Sequence, residues 1–264
     1  MTGPERASPA PEPILTVDRV TKRFGGLTAI NDVSFTIAKG QIFSLIGPNG
    51  AGKTTMFNTI TGMYKPTAGS IQFRDRDITA LKPYRIAGLG ISRTFQQIRL
   101  FAYMSALDNV RIGEHSRMSA KLWDAVFKTP KARREEKRVT ERANELLEFV
   151  GIRQQAHNYA RNLPYGHQRR LEIARALASD PSLILLDEPA AGANPQEKRD
   201  LMALVEKVRE QGITVLLIEH DMKVVMGISE WIVVLDYGEK IAEGKPQDVR
   251  SNPRVIEAYL GKSA

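Results

Sequence analysis

Gly47-Pro48-Asn49-Gly50-Ala51-Gly52-Lys53-Thr54 is the stretch on which the reading of this chain turns. It fits the pattern G-x-x-x-x-G-K-[ST], whose glycines let the backbone wrap until successive N–H groups converge on phosphate oxygens. Its flanks agree with the pattern. The apolar run Gln41–Ile46 enters it as a strand, and a helix over Thr54–Ile60 leaves it, bringing the positive end of a helix dipole to the same spot. Lys53 is placed to reach the β- and γ-phosphates, and the hydroxyl of Thr54, with Thr55 beside it, to meet Mg²⁺ and phosphate. The expectation is a site for a nucleoside triphosphate.

Outward from this loop the chain reads as strands and helices of two textures. Ile14–Val17, Val33–Ile37 and Ser70–Phe73 are short, rich in β-branched or aromatic residues and bounded by Gly or Asp, as strands of hairpins are. Lys65-Pro66-Thr67-Ala68-Gly69 supplies a turn before the last of them. Helical texture fills Ser105 to Gly151. Two fully apolar strands follow, Leu183–Leu186 and Thr214–Ile218, separated by Pro195–Gln211, where Leu201, Leu204, Val205 and Val208 make one helical face. Strand, helix and strand in that order, with apolar strands, indicate an α/β protein whose parallel sheet is covered on both faces. Residues 1–13 hold four prolines and read as a disordered leader, leaving 14–264 as the folded domain.

The 264 residues carry a net charge of +8, which suits anionic partners such as nucleotides. The absence of cysteine excludes disulfides and thiolate chemistry, and four histidines leave little for an imidazole metal site. The longest apolar runs, Thr214–Ile218 and Trp231–Leu235, are far short of the roughly 18 residues that suggest a membrane span. The N-terminus lacks an apolar signal-peptide core, so a cytoplasmic protein is expected. Lys128–Arg142 holds seven basic and three acidic residues and reads as a solvated helix face.

Leu183-Ile184-Leu185-Leu186-Asp187-Glu188 ends an apolar strand in two carboxylates. Strand alternation would send the two to opposite faces, which separates their roles. Asp187 suits Mg²⁺, directly or through water, and Glu188 suits an attacking water. His220 closes the apolar strand Thr214–Ile218, expected to run parallel to the one that carries Glu188, where it reaches a γ-phosphate. Gln96, in Thr94-Phe95-Gln96-Gln97, says nothing by spacing alone.

Taken in order, the phosphate loop, Gln96, a helical insert, Leu163-Pro164-Tyr165-Gly166-His167, the Asp187-Glu188 strand and His220 resemble an ABC-type ATPase, from about Ile14 to Leu260. The resemblance implies a P-loop NTPase ABC cassette: a mixed sheet core, an antiparallel β subdomain and an α-helical subdomain inserted at about 97–178. It implies ATP and Mg²⁺, with the nucleotide clamped between the phosphate loop of one subunit and the signature of another. On that likeness Glu188 is the general base, Gln96 senses the metal and the water, and His220 meets the γ-phosphate. Phe24 falls where the family stacks an aromatic on adenine. Tyr165, Gly166 and Gln168 fall where the signature faces the second subunit's nucleotide. The signature itself departs from the family's Leu-Ser-Gly-Gly-Gln at Pro164, Tyr165 and His167, and Asn194 stands where an Asp of the dimer contact is frequent.

Finer features are similar to the ATP-binding subunits of branched-chain amino acid importers. They are Arg23-Phe24-Gly25-Gly26-Leu27, Arg93-Thr94-Phe95-Gln96, Tyr165-Gly166 before Gln168-Arg169-Arg170, Glu188-Pro189-Ala190-Ala191-Gly192, and Asn252-Pro253 with Ala258-Tyr259-Leu260-Gly261. This likeness implies a peripheral protein at the cytoplasmic face of the inner membrane. Its partners would be a second ATP-binding subunit and two permease subunits, with an extracytoplasmic solute-binding protein acting indirectly and no nucleic acid. Leu100-Phe101-Ala102-Tyr103-Met104 is an apolar loop suited either to the core or to a permease helix. The alternative reading is an ABC ATPase of another system, such as lipopolysaccharide export or import of a different small solute. A small-molecule kinase would need neither the signature nor His220, and a repair or translation ATPase of this type usually carries two cassettes.

Overall fold

The computed structural model describes residues 12–114 and 130–260. Strands β1 (Pro13–Phe24) and β2 (Leu27–Ala38) form a long antiparallel hairpin, and β3 (Ile42–Ile46) leads into the phosphate loop and helix α1 (Lys53–Ile60). β4 (Ala68–Phe73) returns to β1, and short β5 (Arg76–Asp77) completes a four-stranded antiparallel sheet in the order β2-β1-β4-β5. After α2 (Pro83–Gly88) and β6 (Ile91–Arg93), helices α3 (Ala106–Gly113), α4 (Pro130–Phe149) and α5 (Tyr165–Leu177) pack on one another. The chain then alternates through β7 (Leu183–Asp187), α6 (Pro195–Glu210), β8 (Thr214–Ile218), α7 (Met222–Ile228) and β9 (Trp231–Asp236). It closes with β10 (Glu239–Gly244), α8 (Pro246–Arg250) and α9 (Pro253–Leu260).

The second sheet has the order β10-β9-β3-β8-β7-β6. Every pair in it is parallel except β9 with β10, which share a tight hairpin at Tyr237-Gly238. Burial on both faces explains its unbroken apolar runs. In β7, Ile184 and Leu186 join a core with Leu147, Leu171, Leu204 and Val205 of the helices, whereas Leu183 and Leu185 join the opposite core with Phe43, Met56 and Phe57. Alternation is present in the packing and invisible in the sequence, because both partners are apolar.

Two boundaries differ from the sequence reading. Pro13 opens β1, and the carbonyl of Glu12 accepts a hydrogen bond from the Lys39 amide at 2.9 Å, so the folded domain begins before Ile14. The rest of the expected leader, residues 1–11, lies outside the described residues, as do 115–129 of the helical insert and 261–264. β1 also runs to Phe24 rather than stopping at Val17. Its second half is half-exposed, and the register shifts after Val17, where Arg19 has φ of 45°, so the strand lacks a clean period. The basic stretch lies mostly on α4, with residues 128 and 129 outside the described range. Lys137 pairs with Glu141 and Arg142 with Glu145 on its solvent side, while Arg138 reaches across to the buried carboxylate of Glu114.

Asn194 has a structural use within its own chain. It caps α6, its side-chain oxygen accepting the amides of Gln196 at 2.9 Å and Glu197 at 3.0 Å, while the Glu197 carboxylate accepts the Asn194 amide at 2.8 Å. This reciprocal pair satisfies donors that a helix start leaves bare. Asn194→Ala should therefore lower unfolding stability by about 1 kcal/mol, and Asn194→Asp should leave it nearly unchanged. Urea titration followed by circular dichroism reads both.

Candidate active site

β3, β7 and β8 are parallel neighbours, so their C-terminal ends emerge along one edge of the sheet, where α/β proteins bind ligands. β3 delivers the phosphate loop to that edge. At two of its glycines nothing larger fits: a Cβ on Gly47 would lie 2.1 Å from the Leu235 carbonyl oxygen, and one on Gly52 would lie 2.6 Å from that of Ala29. Gly52, at φ of 101°, turns the chain into α1. Lys53 is largely buried, and its ammonium donates to the carbonyls of Gly47 at 2.7 Å and Pro48 at 2.9 Å, closing the loop on itself. Burial pushes the Lys53 pKa down, while Glu188 and Asp187 nearby act to hold the charge.

Residues 49–55 line a groove with Ala29, Gln96, Glu188 and Tyr237. Gln96 donates from Nε2 to Glu188 Oε2 at 3.0 Å, and His220 Nδ1 lies 3.5 Å from that same oxygen. Three residues from three separate segments thus meet at the Glu188 carboxylate; Gln96 and Glu188 share the groove with Lys53, whereas His220 does not line it. The separation of Asp187 from Glu188 comes about differently from strand alternation. β7 ends at Asp187, and Glu188 lies past it in the left-handed region at φ of 46°, held by its amide donating to the Ile218 carbonyl at 2.9 Å. A non-glycine residue in that conformation is costly and marks functional loops.

Asp187 is buried behind the groove, where its Oδ2 accepts from Arg93 Nη2 at 2.7 Å. Arg93 is a partner the sequence reading missed. With one oxygen so committed, Asp187 stands outside the groove lining, whereas Thr54 and Gln96 line the groove itself. Among the described residues no three His, Asp or Glu side chains cluster to hold a metal. A hard divalent ion at this edge would have to take most of its ligands from phosphate oxygens and water, as Mg²⁺ readily does.

Glu219, buried between Glu188 and His220, also escaped the sequence reading. Its carboxylate accepts the amides of Ala190 at 2.9 Å and His220 at 3.2 Å, tying the turn after Glu188 to the end of β8. Burial raises its pKa against the opposing pull of those two bonds.

Phe24 does not line the groove. It is 41% exposed, edge-on to Tyr64 with ring centroids 5.1 Å apart and the Lys22 ammonium 4.8 Å from its ring centre. Tyr237, 89% exposed on the β9–β10 hairpin, does line it. No local sequence signal singled it out, because only the folded hairpin brings it to the phosphate loop.

The signature segment opens α5. Pro164 is its N-cap, Tyr165 its first residue, and Gln168 donates back to the Leu163 carbonyl at 2.9 Å. A Cβ on Gly166 would meet the Glu197 carboxylate at 3.3 Å. Tyr165 and Gly166 do not line the groove of this chain's own phosphate loop; they line a separate hollow with Arg169, Pro189 and Glu197, which Gln168 does not line. The loop 100–104 is partly outside the core: Phe101 and Tyr103 are exposed, with the Arg161 guanidinium 4.5 Å from the Tyr103 ring centre. Fully buried Asn109 shapes that loop, accepting the Phe101 amide at 2.9 Å and donating to the Phe101 carbonyl at 3.1 Å.

The residue after His220 anchors the strand end. Asp221 accepts from the Lys198 ammonium at 2.7 Å and from the Lys223 amide at 3.0 Å, which caps α7. The Lys198 hydrogen bond, foremost, holds the Asp221 carboxyl below its ordinary value of 3.8, and the same bond raises Lys198 above its ordinary 10.5. The carboxylate's contribution to stability is thus present above pH 3.8 and is lost as pH falls through its depressed folded value. Asp221→Asn keeps a capping oxygen and removes the ion pair. It should lower stability at neutral pH by about 0.5–1 kcal/mol. The gap from the native protein should close in acid, as measured by unfolding at several pH values.

Comparison with known proteins agrees with this geometry. Residues 30–191 match the family model described as ABC transporter, and residues 239–264 match that of the branched-chain amino acid ATP-binding cassette transporter. The chain is 47% identical over 253 residues to the high-affinity branched-chain amino acid transport ATP-binding protein LivG of Escherichia coli (strain K12), covering 96% of this chain and 99% of that one. An ATP-binding cassette of an ABC transporter, solved in its ADP conformation, superposes with a TM-score of 0.83 at 35% identity, covering 95% of this chain and 99% of the other. A dimeric cassette in a post-hydrolysis state, bound to ADP and Pi, superposes with a TM-score of 0.75 at 29% identity, over 88% of this chain and 98% of that one. The chain belongs to the ABC transporter family, in the branch of the branched-chain amino acid transport ATP-binding proteins.

Proposed function

We propose that this chain is the ATP-hydrolysing subunit of an importer of branched-chain amino acids, and that Glu188 is the general base of its reaction. The chain is an ATPase by family. The observation that carries the assignment of the base is that Gln96 and His220 both approach the same Glu188 carboxylate oxygen, in the groove that Gln96 and Glu188 share with Lys53.

The γ-phosphate lies against the phosphate loop, with the third N–H of Lys53 and the side chain of His220 directed to its oxygens. Water attacks the γ-phosphorus. Glu188 accepts the proton of that water as the new P–O bond forms, while the bond to the β-phosphate oxygen breaks and leaves ADP and inorganic phosphate. Gln96, hydrogen-bonded to Glu188, orients the same water. Mg²⁺, when bound, neutralises charge on the β- and γ-oxygens, and Thr54 and Gln96 would hold it, with Asp187 behind.

ATP closes the assembly by bridging this phosphate loop to the signature of a second ATP-binding subunit. The separate position of Tyr165 and Gly166 supports this reading, since neither lines the groove of the chain's own phosphate loop. The similar dimeric cassette supports it too. Among the described residues no helix is long and apolar enough to cross a membrane. On this reading two permease subunits carry the contact with the bilayer. Exposed Phe101 and Tyr103 offer the docking surface, on the cytoplasmic face. A solute-binding protein would act on the far side of the membrane.

Glu188→Gln should retain ATP binding and lose turnover by about 10³-fold, read as phosphate release by the assembled transporter. Unchanged release removes Glu188 from the role. Tyr103→Ala should reduce co-purification with the permease subunits and lower uptake of radiolabelled leucine, isoleucine and valine, with nucleotide binding intact. Loss of this chain without loss of that uptake would refute the substrate assignment.

A further inference from the structure

Tyr165 departs from the glycine of the family's signature, and its hydroxyl is turned into the chain rather than outward. It donates to the Ala191 carbonyl at 2.8 Å and accepts from Arg169 Nε at 3.1 Å and Nη2 at 2.9 Å. Arg169 is 5% exposed. Its remaining N–H groups go to the Phe95 carbonyl at 2.9 Å, the Gln96 carbonyl at 2.5 Å and the Glu172 carboxylate at 3.2 Å. All of a guanidinium's donors are thereby used. Glu172 in turn accepts the Phe95 amide at 3.2 Å.

These bonds close a ring. Gln96 is held from behind by Arg169, Arg169 by Tyr165, and Tyr165 by Ala191, whose amide donates to the Glu188 carbonyl at 3.1 Å. In front, the Gln96 side chain meets Glu188 at 3.0 Å. The segment with Gln96 and the turn with Glu188 are thus joined twice, once through their side chains and once through the first turn of the signature helix. A closed ring of hydrogen bonds, several of them charge-assisted and centred on buried Arg169, fixes distances more firmly than any one of its members.

We infer that Tyr165 and Arg169 are a positioning pair that sets the distance between Gln96 and Glu188, and so reports the place of the signature helix to the same chain's general base. Any shift of α5 as the signature engages a second subunit's nucleotide pulls on the backbone of Gln96 and, through Ala191, on the turn of Glu188. The inference rests on the proposed role of Glu188. Neither residue touches the reacting atoms from this position.

The test is steady-state ATP hydrolysis by the assembled transporter carrying Tyr165→Phe, Arg169→Lys or both, beside Glu188→Gln. Tyr165→Phe keeps the aromatic side chain and, by deleting only the hydroxyl, opens the hydrogen-bond circuit, and Arg169→Lys keeps a cation beside buried Glu172. Misplacement of the base should lower kcat by about 10–100-fold with KM for ATP within twofold of the native value. The double variant should lose no more than the worse single one. The inference is overturned if Tyr165→Phe turns over at the native rate, if its melting temperature falls with kcat of the folded protein unchanged, or if the two losses multiply. Native-rate Tyr165→Phe beside inactive Glu188→Gln sinks the pair alone, whereas an active Glu188→Gln sinks the reading beneath it.

Discussion

Parallel hydrogen bonding among β3, β8 and β7 is the constraint from which the site follows. Parallel strands all finish on the same edge, so the three segments after them must meet. One supplies the phosphate loop, one Glu188 and one His220. Burial on both faces then makes that edge stiff, because each strand is locked between a helical layer and the layer of α1 and the antiparallel sheet. The sheet acts as a jig, and the chemistry is confined to what emerges from it.

Charge at this edge is arranged in compensating layers. Lys53 lies near Asp187 and Glu188, Asp187 is paired with Arg93 behind, and Glu172 with Arg169 at the side. Asp187 and Glu172 are each paired with a buried arginine, as the low-dielectric interior favours, since removing one member of such a pair strands the other. The cations on the outer side of α4 are different in kind, because exposed pairs contribute little to stability and much to solubility.

What the sequence revealed and what it hid divide by sequence distance. The phosphate loop, the Asp187-Glu188 strand end and the apolar face of α6 are local patterns, and each was legible without a fold. The Asn194 cap was equally local, since Asn194 with Glu197 three residues on spells a capping box, yet a dimer-contact reading drew attention away from it. Arg93 with Asp187 and Arg169 with Gln96 join residues 94 and 73 positions apart, which no spacing announces. Phe24 was noticed only by likeness to an adenine contact. In the fold its exposed ring leans on Tyr64 beside the groove that Leu27 and Thr28 line, while Tyr237, which no likeness singled out, stands at that groove. The second half of β1 was lost to reading because a half-exposed strand with a register shift carries no period.

The left-handed backbone at Glu188 has a consequence for anyone borrowing this machinery. The fold, through the Ile218 carbonyl and the buried carboxylate of Glu219, keeps the turn in a geometry the free chain would shun. A peptide copied from Leu183 to Gly192, or the same ten residues grafted onto a scaffold without those two acceptors, would relax into an extended form and aim its acid elsewhere. Transplanting the activity requires moving the neighbouring strand as well.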